Sequence, residues 1–317
     1  MVQDAQVEYS LAAPLEFSGV GLHSGAEAHL RLVPAPAGSG IVFRRTDLDG
    51  YEIPAIGRNV ARVSYATSLM RQGVLISTTE HLLSALIGLG VDNVICEIDN
   101  LEVPILDGSA RPYVEAILAA GRKRQRRKRE YLRILKPVEV RDGEGSDAKF
   151  IGVYPGEGYQ IEYAIDFRAP IGRSVFHGDL EQGEYASLIA PARTFGFRED
   201  EAVLRDMGLI RGASDACAII LGEGRVQNGP LRFADEFVRH KVLDLIGDLA
   251  LAGRRIWGRV VAERAGHAMH TALVQRLLRD RSAWELATRS EPAAEAAPLR
   301  EGRMLSLAPA AALSHSL

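Results

Sequence analysis

The first third of the chain alternates hydrophobic and polar residues in short stretches separated by glycines and prolines. This period of two predicts β-strands over residues 9–17, 28–33 and 40–44. A helical pattern over 77–90 ends in glycines, and an apolar strand at 94–98 and a helix at 109–120 follow it. The pattern therefore predicts a first domain that combines a small sheet with helices.

The second half repeats this arrangement of strands and helices. Strands are predicted over 132–140, 149–153, 159–167, 215–221 and 255–263. Helices are predicted over 235–251 and 267–279. Residues 81–88 (HLLSALIG) and 240–247 (HKVLDLIG) are identical at four of eight positions. Because strands flank both helices, this similarity predicts an α+β fold of two similar domains that face each other.

Composition narrows the class of protein. A chain of 317 residues is long enough for two domains, and its net charge of −3 and 47% hydrophobic content are typical of a globular protein. They exclude a strongly basic nucleic-acid-binding protein and a largely disordered chain. The longest apolar run, 82–89, is much shorter than the roughly 18 residues of a membrane span.

The expected compartment is the cytoplasm. No basic region followed by an apolar core, the signature of a secretory signal, is visible at the N-terminus. Cys96 and Cys217 lie in apolar, strand-like segments. They are predicted to be buried thiols in a reducing compartment rather than a disulfide.

A run of basic residues, GRKRQRRKRE at 121–130, interrupts the globular composition. Such a run can contact nucleic acid or anionic lipid, but it lacks aromatic residues and lies where length places a domain boundary. We interpret it as a solvated linker, with no nucleic-acid partner. The predicted organisation is a first domain at 1–121, the linker at 122–130, a second domain at 131–282, and a flexible Ala/Pro-rich tail at 283–317.

Two residues of the helix at 235–251 are candidate metal ligands. His240 and Asp244 are four residues apart and so project from one face, and Asp248 continues the column. A surface His–Asp pair is the common alternative at this spacing. Three polar positions on one stripe, with Lys241 beside them, favour a site.

Glu80 and His81 form a second candidate pair. Ser77 and Glu80 also match a capping box, in which Glu80 would bind a backbone amide at the helix start. If His81 joined His240 and Asp244, Zn²⁺ would have a His₂Asp set with one open position, which is typical of catalytic zinc. Glu80, next to a ligand, could then act as a general base.

Two further histidines open the helix at 267–279. The helix N-terminus lowers the pKa of His267, and a carboxylate such as Asp248 would raise it and keep an acidic imidazolium available. The alternative is a solvated polar residue at the helix start. We assign His270, one turn later, to that solvated class.

Six segments together resemble the UDP-3-O-acyl-N-acetylglucosamine deacetylase family, zinc amidases of lipid A biosynthesis in Gram-negative bacteria. The matching segments are FSGVGLHSG (17–25), ISTTEHLLSALIGLGVDN (76–93), EVPILDGSA (102–110), ARTFGF (192–197), LRFADEFVRHKVLDLIGDL (231–249) and GHA (266–268). They occur in the family's order. The resemblance implies two two-layer α/β sandwich domains with the active site between them, and an insert in the second domain that forms a hydrophobic passage for an acyl chain.

The resemblance also implies roles for individual residues. The zinc ligands are His81, His240 and Asp244, with one Zn²⁺ per chain or Fe²⁺ in cells. Glu80 is the general base. The other catalytic positions are His267, Asp248, Lys241 and the oxyanion-binding Thr194, and the substrate-binding positions are Phe195, Arg264 and Lys149. Arg264 departs from the family, in which a lysine is usual shortly before GHA, but arginine can also bind a diphosphate.

The resemblance implies hydrolysis of the N-acetyl group of UDP-3-O-(3-hydroxyacyl)-N-acetylglucosamine, the committed step of lipid A biosynthesis. The expected partner is this small-molecule substrate, and the expected state is a monomer. Three alternatives remain open at this point. They are a paralogue acting on another nucleotide sugar or acyl length, a catalytically silent scaffold, and a protein that uses the basic run as an RNA-binding arm.

Overall fold

The computed structural model describes residues 6–289 except 62, 146–147 and 181–182. In the first half the elements are β1 (Val7–Leu11), β2 (Leu15–Val20), β3 (Glu27–Pro34), β4 (Ile41–Arg45), β5 (Tyr51–Pro54), β6 (Leu69–Arg71), β7 (Val74–Ile76), α1 (Glu80–Gly88), β8 (Val94–Ile98), α2 (Arg111–Ala120) and β9 (Arg122–Lys128). In the second half they are β10 (Glu130–Ile134), β11 (Val138–Asp142), β12 (Lys149–Tyr154), β13 (Tyr159–Phe167), β14 (Gly172–Asp179), α3 (Tyr185–Leu188), β15 (Phe195–Phe197), α4 (Glu201–Asp206), β16 (Ile219–Gly222), β17 (Arg225–Val226), α5 (Glu236–Leu249), β18 (Arg255–Glu263), α6 (His267–Arg279) and β19 (Trp284–Thr288).

Each half is built on one main sheet. The first sheet has the order β2-β3-β8-β4-β5, and only β4 and β8 pair in parallel. Burial alternates along the first six residues of β3, so one face of this sheet is apolar and requires a covering layer. The second sheet contains seven strands, with β18 paired to β10, β12 and β13. The α+β class predicted from the sequence is confirmed.

Helices α1 and α5, one from each half, pack directly against each other. Residues such as Leu82 and Leu86 of α1 and Val242 and Ile246 of α5 are fully buried in one continuous apolar core. The helices approach so closely at Gly247 that a Cβ there would lie 2.0 Å from the carbonyl oxygen of Glu80. This contact brings the start of α1 beside the C-terminal half of α5.

Smaller elements extend from the two main sheets. The hairpin β6–β7 forms a separate two-stranded sheet in the first half. Strands β15, β16 and β17 form a three-stranded sheet in the second half, between α3 and α5 in the chain. None of the helices in the described part of the chain combines the length and apolar character that a bilayer span requires.

Two predicted irregular segments are strands instead. Residues 122–128 of the expected linker form β9, which pairs antiparallel with β1, although most of its side chains are exposed as predicted. Within the expected tail, Trp284–Thr288 forms β19 and pairs with β10, and the Trp284 side chain is buried. The prediction failed because both strands are held by partners distant in sequence. Residues 290–317 of the tail lie outside the described residues, and the domain boundaries remain a prediction.

Candidate metal centre and active site

The three predicted metal ligands meet where α1 and α5 pack together. His81 lies on the first turn of α1, and His240 and Asp244 lie one turn apart on α5. One ligand atom from each residue lies within 4.8 Å of the others. The Nε2 atoms of both histidines are 3.5 Å from Asp244 Oδ1. Close packing of the two helices therefore assembles the cluster.

The surroundings of His240 suit a neutral metal ligand. Its Nδ1–H donates to the carbonyl oxygen of Ala192 at 3.1 Å, which leaves the Nε2 lone pair directed at the cluster. Burial lowers the pKa of His240 to about 3, so the ring is uncharged at neutral pH. A backbone carbonyl on the opposite side thus sets the tautomer that a metal requires.

Asp244 presents an oxygen without a partner to the two imidazoles. Its side chain is buried, and Oδ1 makes no hydrogen bond within the described part of the chain. Burial opposes ionisation, but the Lys241 ammonium, which donates to Oδ2 at 2.8 Å, holds the pKa of Asp244 well below its usual range. A buried carboxylate oxygen facing two imidazole nitrogens fits a divalent cation.

Glu80 faces the cluster rather than the start of its helix. No side-chain cap bond forms at the N-cap of α1, so the capping alternative is wrong. Glu80 Oε2 accepts the Thr67 N–H at 3.0 Å, and Oε1 lies 3.9 Å from His267 Nε2. Burial raises the pKa of Glu80. The environment therefore favours proton uptake by this carboxylate.

His267, at the start of α6, lies beside both the cluster and Glu80. Its Nδ1 is 2.8 Å from Asp248 Oδ2, and its Nε2 is 3.9 Å from Asp244 Oδ2. Burial alone would lower the pKa of His267, but the charge and hydrogen bond of Asp248, with Asp244 and Glu80 farther away, raise it to about 9. The imidazole is thus protonated at neutral pH and directs Nε2–H into the site.

The prediction that His270 is solvated is wrong. The residue is fully buried, with Nδ1 2.8 Å from Asp248 Oδ2 and Nε2 3.0 Å from the Tyr163 hydroxyl. Burial lowers the pKa of His270, so the ring is neutral and donates its Nδ1–H to the carboxylate. The apolar stripe of α6 carried the missed signal, because His270 shares it with Leu273, Val274 and Leu277.

Thr67 is a second residue that sequence reasoning missed. Its hydroxyl donates to Asp248 Oδ1 at 2.5 Å, while its backbone N–H binds Glu80. It precedes the hairpin β6–β7, far from the motifs in sequence, so no local pattern indicated it. Thr67 therefore links the carboxylate of Glu80 to the carboxylate of Asp248.

The remaining predicted site residues line two cavities. Lys241, Lys149 and Arg264 line a polar cavity together with His267. Arg264 also forms an ion pair with Asp166 and has a left-handed backbone, with φ of +52°. The structure therefore gathers the predicted cationic residues along one wall of the site.

Thr194 and Phe195 line the second, largely apolar cavity. Its wall includes His23 of the glycine-rich turn, Leu204 of α4 and Ile220 of β16. The Phe195 ring also contacts the His240 ring, with centroids 6.1 Å apart. This cavity connects the neighbourhood of the ligands to the small second-half sheet.

These groups define a class of protein. A His–His–Asp cation site flanked by a buried carboxylate and by a protonated imidazole is suited to water activation and leaving-group protonation. That combination is typical of a metal-dependent hydrolase.

Comparison with known proteins gives the family. Residues 8–279 match the family described as LpxC: UDP-3-O-acyl N-acetylglycosamine deacetylase. A relative named UDP-3-O-acyl-N-acetylglucosamine deacetylase from Solibacter usitatus is 55% identical over 282 residues, which are 89% of this chain and 94% of the relative. Relatives of the same name from Saccharophagus degradans and Idiomarina loihiensis are each 42% identical, over 284 and 294 residues, or 88% and 90% of this chain and 92% and 94% of the relatives. The chain belongs to this deacetylase family, and the resemblance inferred from its motifs is confirmed.

Proposed function

We propose that this protein hydrolyses the N-acetyl group of UDP-3-O-(3-hydroxyacyl)-N-acetylglucosamine and releases acetate, the committed step of lipid A biosynthesis. The observation that carries the proposal is that Glu80 and His267 both lie beside the His81–His240–Asp244 cluster, with Glu80 Oε1 3.9 Å from His267 Nε2. We further propose Zn²⁺ as the cation, with Fe²⁺ as a substitute in cells, and a monomeric, cytoplasmic enzyme. Family membership supports the reaction, and the His₂Asp donor set supports zinc.

The proposed chemistry divides between two proton-transfer groups. Zinc, when bound, supplies Lewis acidity that polarises the amide carbonyl and makes an attacking water more acidic. Glu80 accepts the proton of that water. His267 donates its Nε2 proton to the departing amine, and Asp248 holds the ring in the donating orientation. Each such proton transfer contributes roughly 10²–10⁴ to the rate.

The two cavities suit the two ends of the substrate. The cationic wall formed by Lys149, Arg264 and Lys241 matches the charge of a nucleoside diphosphate. The apolar cavity beside Phe195 suits the acyl chain, and the Thr194 hydroxyl on its wall is the proposed partner of the oxyanion. Lys241 bonds Asp244, so it also holds the proposed ligand in place.

A substitution of Asp244 tests the proposal. Asp244→Ala should lose bound zinc and acetate release together, because two imidazoles alone hold the ion weakly. Asp235→Ala is the matched control, at the residue immediately before the same helix, where the side chain pairs with Arg239. Metal content and acetate release are measured on the same preparations. Full zinc occupancy in Asp244→Ala, or no acetate release by the zinc-loaded wild type, would contradict the proposal.

A further inference from the structure

Strand β9 carries a concentration of positive charge that the proposed reaction does not use. Six of its seven residues, RKRQRRK, are basic, although the whole chain has a net charge of −3. Five of these side chains are exposed. The pairing register runs from Tyr9 opposite Arg124 to Val7 opposite Lys128, so β9 bulges between these positions. The bulge places Arg126 on an irregular, outward stretch of the strand.

Some of these basic side chains form contacts within the protein, and others do not. Arg122 covers the Tyr9 ring and donates to the carbonyl of Leu89. Arg127 forms ion pairs with Glu8 and Glu130. Lys123, Arg126 and Lys128 have no side-chain partner among the residues that the structure describes. At least three cations on one strand therefore face solvent without a neutralising carboxylate.

An exposed apolar turn adjoins the start of the same strand. Ala12, Ala13 and Pro14 are all exposed between β1 and β2, and the Ala12 N–H binds the carbonyl of Gly121 at 3.0 Å. Leu118, three residues before Gly121, is 48% exposed. The basic strand and this apolar turn thus form one continuous surface, which we call the β9 surface.

We propose that the β9 surface docks the protein on anionic phospholipid bilayers. Unpaired Lys and Arg side chains attract a negatively charged membrane surface, and adjacent small apolar side chains can enter the interface between headgroups and acyl chains. A bilayer is favoured over nucleic acid because β9 contains no aromatic residue for base stacking, and the nearby Tyr9 ring is already covered by Arg122 and Arg129. Docking does not depend on the proposed deacetylase reaction.

Vesicle sedimentation tests this surface directly. The full chain is incubated with vesicles of phosphatidylcholine containing 30% phosphatidylglycerol, and with vesicles of phosphatidylcholine alone. Binding is expected to the anionic vesicles, and it should weaken strongly between 50 and 500 mM salt. Replacing Lys123, Arg126 and Lys128 together by Ser should lower the partition coefficient about a hundredfold, since each surface cation contributes about 1 kcal/mol, or roughly fivefold.

The control removes the same charge elsewhere. Arg58, Arg225 and Arg279 are exposed on other elements, and their combined replacement by Ser should leave vesicle binding nearly unchanged. Circular dichroism and melting temperature show whether each variant is folded. Equal binding of both triple variants would overturn the proposal, as would salt-dependent binding to single-stranded RNA without binding to anionic vesicles. The proposal would also be overturned if the wild type did not bind anionic vesicles and the β9 variant aggregated. The charges would then only protect an edge strand from pairing with another chain.

Discussion

Asp248 is the residue that chiefly keeps His267 protonated. One of its oxygens accepts two imidazole N–H groups, from His267 and His270, and the other accepts the Thr67 hydroxyl. Burial alone would raise the pKa of Asp248, but these three donors, chiefly His267, lower it and keep the carboxylate ionised. The charge that keeps His267 protonated is therefore fixed in position by residues outside the recognised motifs.

Substitution of His270 measures that support. His270→Leu removes a buried donor from Asp248, so we expect a stability loss of about 1–3 kcal/mol and about a tenfold lower kcat. His270→Asn is the matched variant, because its amide can donate to the same oxygen and should restore most of the rate. Urea unfolding and kcat are measured on both. Equal kcat in the two variants would contradict a role for the Asp248 contact.

The pKa of His267 gives a prediction about pH. Because its folded pKa of about 9 exceeds the ordinary 6.5, its charge stabilises the fold fully below about pH 6.5, and this contribution is lost as pH rises through about 9. NMR titration of the metal-free protein should show the high midpoint. In Asp248→Asn the midpoint should fall by at least one unit, and an unchanged midpoint would contradict the role of Asp248.

Glu80 is tested by a change that keeps its hydrogen bond. Glu80→Gln can still accept the Thr67 N–H but is too weak a base to accept a proton from water near pH 7. Melting temperature and zinc content should persist while kcat falls about a hundredfold or more. Glu16→Gln, at a side chain that is 80% exposed, is the control and should retain full activity. Near wild-type kcat in a folded, zinc-loaded Glu80→Gln enzyme would remove the general-base role.

At the level of residues, sequence spacing predicted the members of the cluster but only part of their surroundings. The four-residue interval placed His240 and Asp244 on one face of α5, and the helical period could do so without tertiary information. Thr67 and Tyr163 reach the site from segments distant in sequence. Their contacts depend on tertiary packing, which no local pattern encodes.

At the level of elements, the crossing of α1 and α5 sets the distance between the proposed ligands. Gly247 permits the crossing, since a Cβ there would lie 2.0 Å from Glu80 O. Gly88, its counterpart in the internal similarity, instead faces the ring of Tyr185. The shared Leu-Ile-Gly ending thus marks a close contact in each helix. The sequence similarity predicted two related helices but not which of the two glycines lies at their crossing.

A methyl group at the crossing should separate the helices. Gly247→Ala is expected to destabilise the protein by about 1–3 kcal/mol and to weaken zinc binding, because α1 carries His81 away from α5. Gly196→Ala adds a methyl group with no atom within 4 Å and serves as the control for stability. Chemical unfolding and zinc affinity are the measurements. Wild-type zinc affinity in Gly247→Ala would show that the crossing does not set the ligand spacing.

At the level of the whole molecule, a buried charge cluster ties the two halves together. Asp92, just before β8, forms an ion pair of 2.6 Å with Arg129 and lies 3.6 Å from Arg255 of β18. Arg129 is only 2% exposed, and Arg255 donates to the carbonyl of Ile87 in α1. The end of the basic segment is therefore part of the interior, which the interpretation of 122–130 as a solvated linker did not predict.

Removal of the central charge should be costly. Asp92→Asn leaves two buried guanidinium groups without their carboxylate, and we expect a loss of about 3–5 kcal/mol in unfolding free energy. Glu285→Gln breaks an ion pair with Arg133 in which both side chains are about half exposed, and should cost at most about 1 kcal/mol. Urea unfolding compares the two. Similar losses would show that the cluster does not stabilise the packing of the halves.

The division of the three proposed ligands between α1 and α5 links metal supply to the lifetime of the protein. Neither half contains the whole donor set, so a bound ion would hold the two halves together. Each tenfold rise in free ion above its dissociation constant then adds about 1.4 kcal/mol to the stability of the closed pair. When the ion is scarce, the halves separate more often, and degradation of the opened chain would lower the amount of enzyme as well as its activity.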